Sequence, residues 1–96
     1  MTVVDNTLEH RFEIATEGDL AYLSYKRGEG RLVLDHTLVP AALRRRGIGG
    51  RLVEAALQVA VADGLVVVPQ CPFVRDWLAK HPEVAEQVRI EPLFRP

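Results

Sequence analysis

The hydrophobic period of this 96-residue chain changes at Ile48, and that change constrains the fold more than any other feature. Before it, three stretches have the spacing of strands: residues 8–15, 20–26 and 31–39. Glycine-containing turn sequences separate these stretches. Three short strands joined by tight turns predict an antiparallel meander. Pro40 follows the third strand and ends its pairing, because proline has no N–H to donate.

From Ile48 to Asp63 the apolar residues recur at helical spacing, and Gly64 is a suitable helix end. The predicted apolar stripe is Ile48, Leu52, Ala55, Ala56, Val59 and Ala60. Residues 65–68 predict a short strand that is buried on both faces.

A second helix should begin at Pro72 and be limited by Pro82. Ile90, Leu93 and Phe94 suggest a last extended segment. The order β-β-β-α-β-α predicts a mixed α/β (α+β) fold, in which a mostly antiparallel sheet packs against two helices in a single domain, residues 1–96.

Composition narrows the classes of function. Apolar residues are 48% and charged residues 26% of the chain, as in ordinary globular proteins. No apolar run reaches the length of a membrane span, no secretory signal is evident, and a lone cysteine excludes an internal disulfide. These features predict a cytoplasmic protein that does not bind membranes. The net charge of -1 and the missing Cys/His spacing argue against nucleic-acid and metal partners.

The basic charge is concentrated in Arg44-Arg45-Arg46-Gly47-Ile48-Gly49-Gly50-Arg51, at the start of the long helix. Backbone N–H groups and the positive end of the helix dipole meet there, and glycine lets a ligand approach the backbone. The sequence fits neither the phosphate loop of nucleotide hydrolases nor the dinucleotide fingerprint. Local sequence leaves two interpretations open, a phosphate-binding loop or a solvated basic turn.

The strand, this loop and the helix to Asp63 resemble the coenzyme-A-binding motif of the GNAT superfamily of acyl-CoA N-acyltransferases. The similarity extends to the small single-domain members. Its motifs are Asp35-His36-Thr37, Val39-Pro40, Arg46-Gly47-Ile48-Gly49, Val68-Pro69, Cys71-Pro72-Phe73-Val74 and Lys80-His81-Pro82-Glu83.

This resemblance implies an acetyl-CoA-dependent N-acetyltransferase that transfers acetyl to an unidentified amine. Loop N–H groups would bind the pyrophosphate, arginines would neutralise it, and the end of the third strand would pair with the pantetheine arm. The implied cofactor-binding residues are Leu38, Val39, Arg44, Arg45, Arg46, Gly47, Ile48, Gly49 and Gly50.

Two residues are candidates for catalysis. Cys71 would lie at a helix N-terminus, which can stabilise a thiolate, and the resemblance implies a role in assisting or carrying acetyl. The alternative is a small buried hydrophobe. His36 is predicted to share a face with Leu34 and Leu38, where it could accept a proton from an amine or be a satisfied core histidine.

One position departs from the resemblance. Small members often carry tyrosine where Trp77 stands, and an indole cannot act as a general acid. This departure keeps a non-catalytic CoA or acyl-CoA-binding module open as an alternative. A further alternative is a small interaction domain whose arginine loop binds an acidic or phosphate surface. The amine acceptor and the oligomeric state are not specified by the sequence.

Overall fold

The computed structural model describes residues 2–91. Their six strands form one sheet in chain order: β1 (Val4–Asn6), β2 (Arg11–Thr16), β3 (Asp19–Gly28), β4 (Arg31–Leu38), β5 (Val66–Pro69) and β6 (Arg89–Ile90). Strands β1 to β4 pair antiparallel, whereas β4–β5 and β5–β6 are parallel. The helices are α1 (Ile48–Asp63), α2 (Pro72–Lys80) and α3 (Pro82–Ala85). The predicted mixed fold, with its mostly antiparallel sheet, is confirmed.

Both hairpins of the meander close as their turn residues predict. Glu17-Gly18 and Glu29-Gly30 each form a two-residue loop in which both residues have positive φ. This geometry matches the twist of the paired strands and favours glycine at the second position. The first predicted strand begins too early, because Leu8 lies in the preceding turn and is 90% exposed.

Helix α1 has the bounds that its period predicts, and Gly64 ends it in the left-handed conformation. Its buried stripe is rotated slightly from the predicted one. Val53 and Leu57 are buried, whereas Ala55 and Val59 pack only partly against the core. Helices α1 and α2 both contribute to the same core on one face of the sheet.

A β-bulge in β4 changes which residues face the core. Leu34 pairs with Tyr25 and His36 pairs with Ser24, so Asp35 is the extra residue between them. Leu34 is fully buried, but beyond the bulge Thr37 takes the core side opposite Leu23. The prediction that His36 and Leu38 share the face of Leu34 is therefore wrong, and both are exposed.

Two short elements were not predicted: β1 and α3. Strand β1 is too short to show a period, and polar contacts hold it to the sheet: Tyr25 Oη donates to Asp5 over 2.6 Å, and Asn6 Nδ2 donates to Glu13 over 3.1 Å. Ile90 lies in β6, as the predicted last extended segment requires, while Leu93 and Phe94 lie outside the described residues.

The Tyr25–Asp5 hydrogen bond makes a prediction about alkaline stability. Burial, followed by that hydrogen bond and the nearby carboxylate, raises the pKa of Tyr25 to about 12. An unfolded tyrosine has a pKa of about 10, so between pH 10 and 12 the unfolded state loses its proton first. Stability should therefore fall by ~2 kcal/mol as pH rises through this window and be unaffected by Tyr25 below it.

Urea unfolding at a series of pH values will measure this loss. Tyr25→Phe should be less stable near neutrality and should lack the Tyr25 share of the alkaline slope. Tyr22→Phe is the matched control, and it should keep the slope of the parent protein. Equal slopes in all three proteins would show that Tyr25 is not coupled to folding.

Candidate functional site

The sheet divides where β4 and β5 part. Their parallel pairing ends at Leu34 and Pro69. The Leu34 carbonyl accepts the N–H groups of both Gln70 and Cys71, each over 3.0 Å. Beyond this point β4 continues along β3 alone to Leu38, and the chain after β5 turns into α2. The β5-facing backbone edge of the last β4 residues is thus open to a strand-like ligand.

A pocket of about 480 Å³ lies over the start of α1, within the range of small-molecule sites. Its walls come from the end of β4, the loop after it, the first turns of α1, and α2. The lining residues are Val39, Leu43, Arg44, Arg45, Gly47, Ile48, Gly49, Gly50, Arg51, Glu54, Phe73, Trp77 and His81. Seven of the nine predicted cofactor-binding residues therefore line one pocket.

The N-terminus of α1 carries unused hydrogen-bond donors. Gly47 is the N-cap, with φ of 73°, and the first intrahelical bond runs from the Arg51 N–H to its carbonyl. Within residues 2–91 no side chain caps this turn, and no acidic residue lies in it. The N–H groups of the first turn of a 16-residue helix can therefore meet an anion.

Glycine serves different purposes along this turn. A Cβ at Gly47 would meet no atom within 4 Å, so that position is open to a ligand. A Cβ at Gly49 would come within 2.6 Å of the Phe73 ring, and one at Gly50 within 2.7 Å of Trp77 Nε1. Gly49 and Gly50 thus allow α2 to pack on the first turn of α1. The sequence alone did not indicate this packing role.

The arginines of the loop do not all face the pocket. Arg46 pairs with Glu17 of the first hairpin, and this interaction lowers the pKa of Glu17 and raises that of Arg46. Arg44 Nε donates to the Val39 carbonyl over 3.1 Å, which ties the loop to the end of β4. Arg45 has a positive φ of 66° and lines the pocket. Arg46 and Leu38 are the two predicted cofactor-binding residues that do not line it.

Cys71 lies under the divided end of the sheet as the N-cap of α2. It is buried, and its Sγ is 3.3 Å from Thr37 Oγ1. The bulge in β4 places Thr37 here, on the face of the strand to which the sequence analysis assigned His36. Thr37 is the site residue that sequence reasoning missed, because a one-residue bulge leaves no clear mark in the hydrophobic alternation.

His36 lies on the other side of the sheet. Its strand partner is Ser24, whose hydroxyl donates to Asp35 over 2.6 Å. The centroid of the His36 ring is 6.0 Å from that of the Tyr22 ring. The structure therefore separates the two predicted catalytic residues, with Cys71 on the helix side and His36 on the exposed side.

The profile of the GCN5-related N-acetyl-transferase family matches residues 11–88, and this chain belongs to that family. Among curated relatives, the mouse (Mus musculus) protein NATD1 is 33% identical over 85 residues, which is 85% of this chain and 77% of NATD1. Human (Homo sapiens) NATD1 is 35% identical over 75 residues, which is 77% of this chain and 66% of human NATD1.

A solved structure has the same fold. A GCN5-like protein from Staphylococcus aureus, determined by NMR, superposes with a TM-score of 0.74 at 24% identity, over 98% of this chain and 91% of that one. Two negative findings concern residues 2–91 only: no helix there is long and apolar enough to cross a membrane, and no cluster of three or more His, Cys, Asp or Glu side chains could hold a metal ion.

The packing of α2 on α1 makes a prediction about Gly50. Gly50→Ala gains ~1 kcal/mol of helix propensity but places a methyl group on Trp77 Nε1, and such overpacking costs ~1–3 kcal/mol. We expect a net loss of about 1 kcal/mol and a shift in tryptophan emission, which reports on this position alone because the chain has one tryptophan.

The control is Gly28→Ala, where an added Cβ meets no atom within 4 Å. Its emission spectrum should match that of the parent protein. If Gly50→Ala also leaves the emission unchanged, Trp77 does not pack on Gly50 in solution.

Proposed function

We propose that this protein binds acetyl-CoA in the pocket over α1 and transfers the acetyl group to an amine. Family membership supports acetyl transfer in general. One observation supports this pocket as the binding site: uncapped N–H groups of α1 lie in it together with Arg44 and Arg45. Backbone donors, the helix dipole and guanidinium groups together suit a pyrophosphate. Residues 1–96 would act as a single domain, and the lone cysteine is consistent with the cytoplasm.

The pantetheine arm is proposed to run along the open edge of β4. That edge is free of β5 beyond Leu34, and Leu38 keeps its pairing with Tyr22 on the opposite edge. An amide-containing arm could hydrogen-bond to Leu38 and Val39 like an added strand. The thioester would then reach the divided end of the sheet, above Thr37 and Cys71.

The proposed reaction joins the acetyl carbon to the amine nitrogen and breaks its bond to the CoA sulfur. The amine loses a proton, and the departing thiolate takes one up to leave as the CoA thiol. His36 is the proposed acceptor of the amine proton. Because it lies on the exposed side of the sheet, the amine is proposed to enter from that side and to reach the acetyl group where β4 and β5 part. Holding both reactants in this geometry would supply much of the rate enhancement.

Cys71 is proposed to line the thioester end of this path. Its burial and its contact with Thr37 favour a role in shaping the pocket and assisting transfer over that of an exposed covalent carrier. An acetyl-Cys71 intermediate would require the thiol to become accessible first.

A non-catalytic CoA-binding module is the second candidate. The separation of the two candidate catalytic residues favours it, because Cys71 lies on the helix side of the sheet and His36 on the exposed side. Both candidates need the same pocket, and only a search for an acceptor amine separates them.

Titration with acetyl-CoA and CoA tests the binding step. We expect micromolar affinity by calorimetry, with amide NMR shifts centred on Val39, residues 45–50 and Cys71. Gly47→Glu should abolish binding, because it places bulk and negative charge beside the α1 donors. Any residue but glycine at this φ is strained by ~1–2 kcal/mol, so part of its stability will also be lost.

Gly64→Glu is the matched control for that strain. Gly64 ends the same helix with φ of 66° and equally open space around it, but it lies far from the pocket. It should lose at least as much stability, because a carboxylate is unfavourable at the C-terminal end of a helix, and it should keep its affinity. Equal binding by both variants would remove the α1 N-terminus from the proposal, and no binding of CoA at millimolar concentration by the parent protein would overturn the acyltransferase proposal.

Transfer itself is tested with Cys71→Ala over a panel of peptides, lysine derivatives and polyamines. The variant should bind CoA with the affinity of the parent protein. It should acetylate its best acceptor at about one tenth of the parent rate or at a lower rate. Thr37→Val, which replaces the hydroxyl beside the thiol with a methyl group, is the companion variant and should show a smaller loss. Unchanged turnover in Cys71→Ala would limit this cysteine to packing.

A further inference from the structure

Trp77 and His81 form a flat aromatic pair at one end of the pocket. Their rings stack with centroids 3.9 Å apart and an interplanar angle of 13°. Both line the pocket, and the edge of the indole rests on Gly50. Trp77 is only partly buried, and so is His81. No part of the proposed reaction uses this pair.

Hydrogen bonding fixes the orientation of the imidazole. His81 Nδ1 lies 2.8 Å from the Trp77 carbonyl, which can only accept, so Nδ1 carries a hydrogen. The backbone N–H of His81 donates to the Leu78 carbonyl and closes α2. The pair is therefore ordered before any ligand arrives, and little side-chain entropy remains to be lost on binding.

Helix α2 sets the direction of the pocket. Cys71 is the N-cap of this helix, and Phe73, Trp77 and His81 follow at four-residue spacing along one face. At 1.5 Å per residue, His81 lies ~15 Å along the helix from Cys71. The α1 donors lie between these ends, against Phe73 and Trp77. A ligand with its thioester near Cys71 and its pyrophosphate on α1 would thus carry its remaining part toward Trp77 and His81.

We infer that the Trp77–His81 pair binds the adenine ring of CoA, so that the protein recognises the nucleotide half of the molecule as well as its pyrophosphate. This inference rests on the proposed function. A purine offers a flat π-face of the kind that stacks on aromatic side chains. Arg51 lines the same pocket and brings positive charge that suits a phosphorylated ribose.

The test uses the single tryptophan of the chain as the probe. Adenosine 3′,5′-bisphosphate represents the nucleotide half of CoA, and pantetheine represents the other half. With excitation at the red edge of the indole band, where adenine does not absorb, the bisphosphate should quench Trp77 emission in a saturable way. Pantetheine should leave the emission unchanged.

Variants then assign the effect to the pair. His81→Ala should weaken binding of the bisphosphate and of CoA about tenfold, as expected for one lost stacking contact, and should leave pantetheine affinity unchanged. His10→Ala, on a turn outside the pocket, is the matched control and should bind like the parent protein. By calorimetry, Trp77→Phe should retain most of the affinity, whereas Trp77→Leu should lose it.

The outcomes separate this inference from the proposal on which it rests. If CoA binds by calorimetry and shifts the α1 amides, but Trp77 emission and His81→Ala affinity do not change, only the adenine site is overturned. If CoA does not bind at all, the proposed function and the adenine site are overturned together.

Discussion

The Leu34 carbonyl accepts two backbone N–H groups, from Gln70 and Cys71, and the arrangement of the site depends on this contact. It marks the last point at which β4 and β5 are held together. Past it, β4 stays paired with β3, and the segment after β5 begins α2. Pro72 lies in the first turn of that helix, where a missing N–H costs nothing. The helix that starts here packs on the first turn of α1. The open strand edge, the buried thiol and the uncapped donors are therefore positioned by the same branch point.

The three arginines between β4 and α1, residues 44–46, make different contacts. Arg46 reaches back to the first hairpin, and Arg44 closes the loop onto Val39. These contacts hold the loop in place around a residue, Arg45, whose positive φ would be unfavourable in an unsupported turn. Because the Arg46–Glu17 pair is exposed, it stabilises the fold only slightly. Arg46 thus orders the loop, whereas Arg44 and Arg45 are the residues of this triplet that line the pocket.

The predictable parts of this molecule are those with strong local signals. Sixteen residues of clear helical period gave the bounds of α1, and paired turn residues gave both hairpins. The bulge at Asp35 left no comparable signal, because one extra residue in an alternating strand is locally allowed and is decided by pairing with β3. It puts Thr37 instead of His36 on the core face, where Thr37 contacts Cys71, and so changes the chemistry of the candidate site. The roles of Gly49 and Gly50 were hidden for a similar reason, since their close neighbours, Phe73 and Trp77, are more than twenty residues away in sequence.

The geometry of α2 also bears on the missing tyrosine. Trp77 is six residues beyond Cys71, or ~9 Å along the helix, and its indole nitrogen is directed at Gly50 in the first turn of α1. An acid at this position would therefore lie at the α1 end of the pocket, whereas the thioester is proposed to lie near Thr37 and Cys71. A proton for the departing thiolate would have to come from the Thr37–Cys71 side or from water entering between β4 and α2. The contacts of Trp77 with the Gly50 backbone and with the stacked His81 ring explain a tryptophan at this position better than the loss of a catalytic acid does.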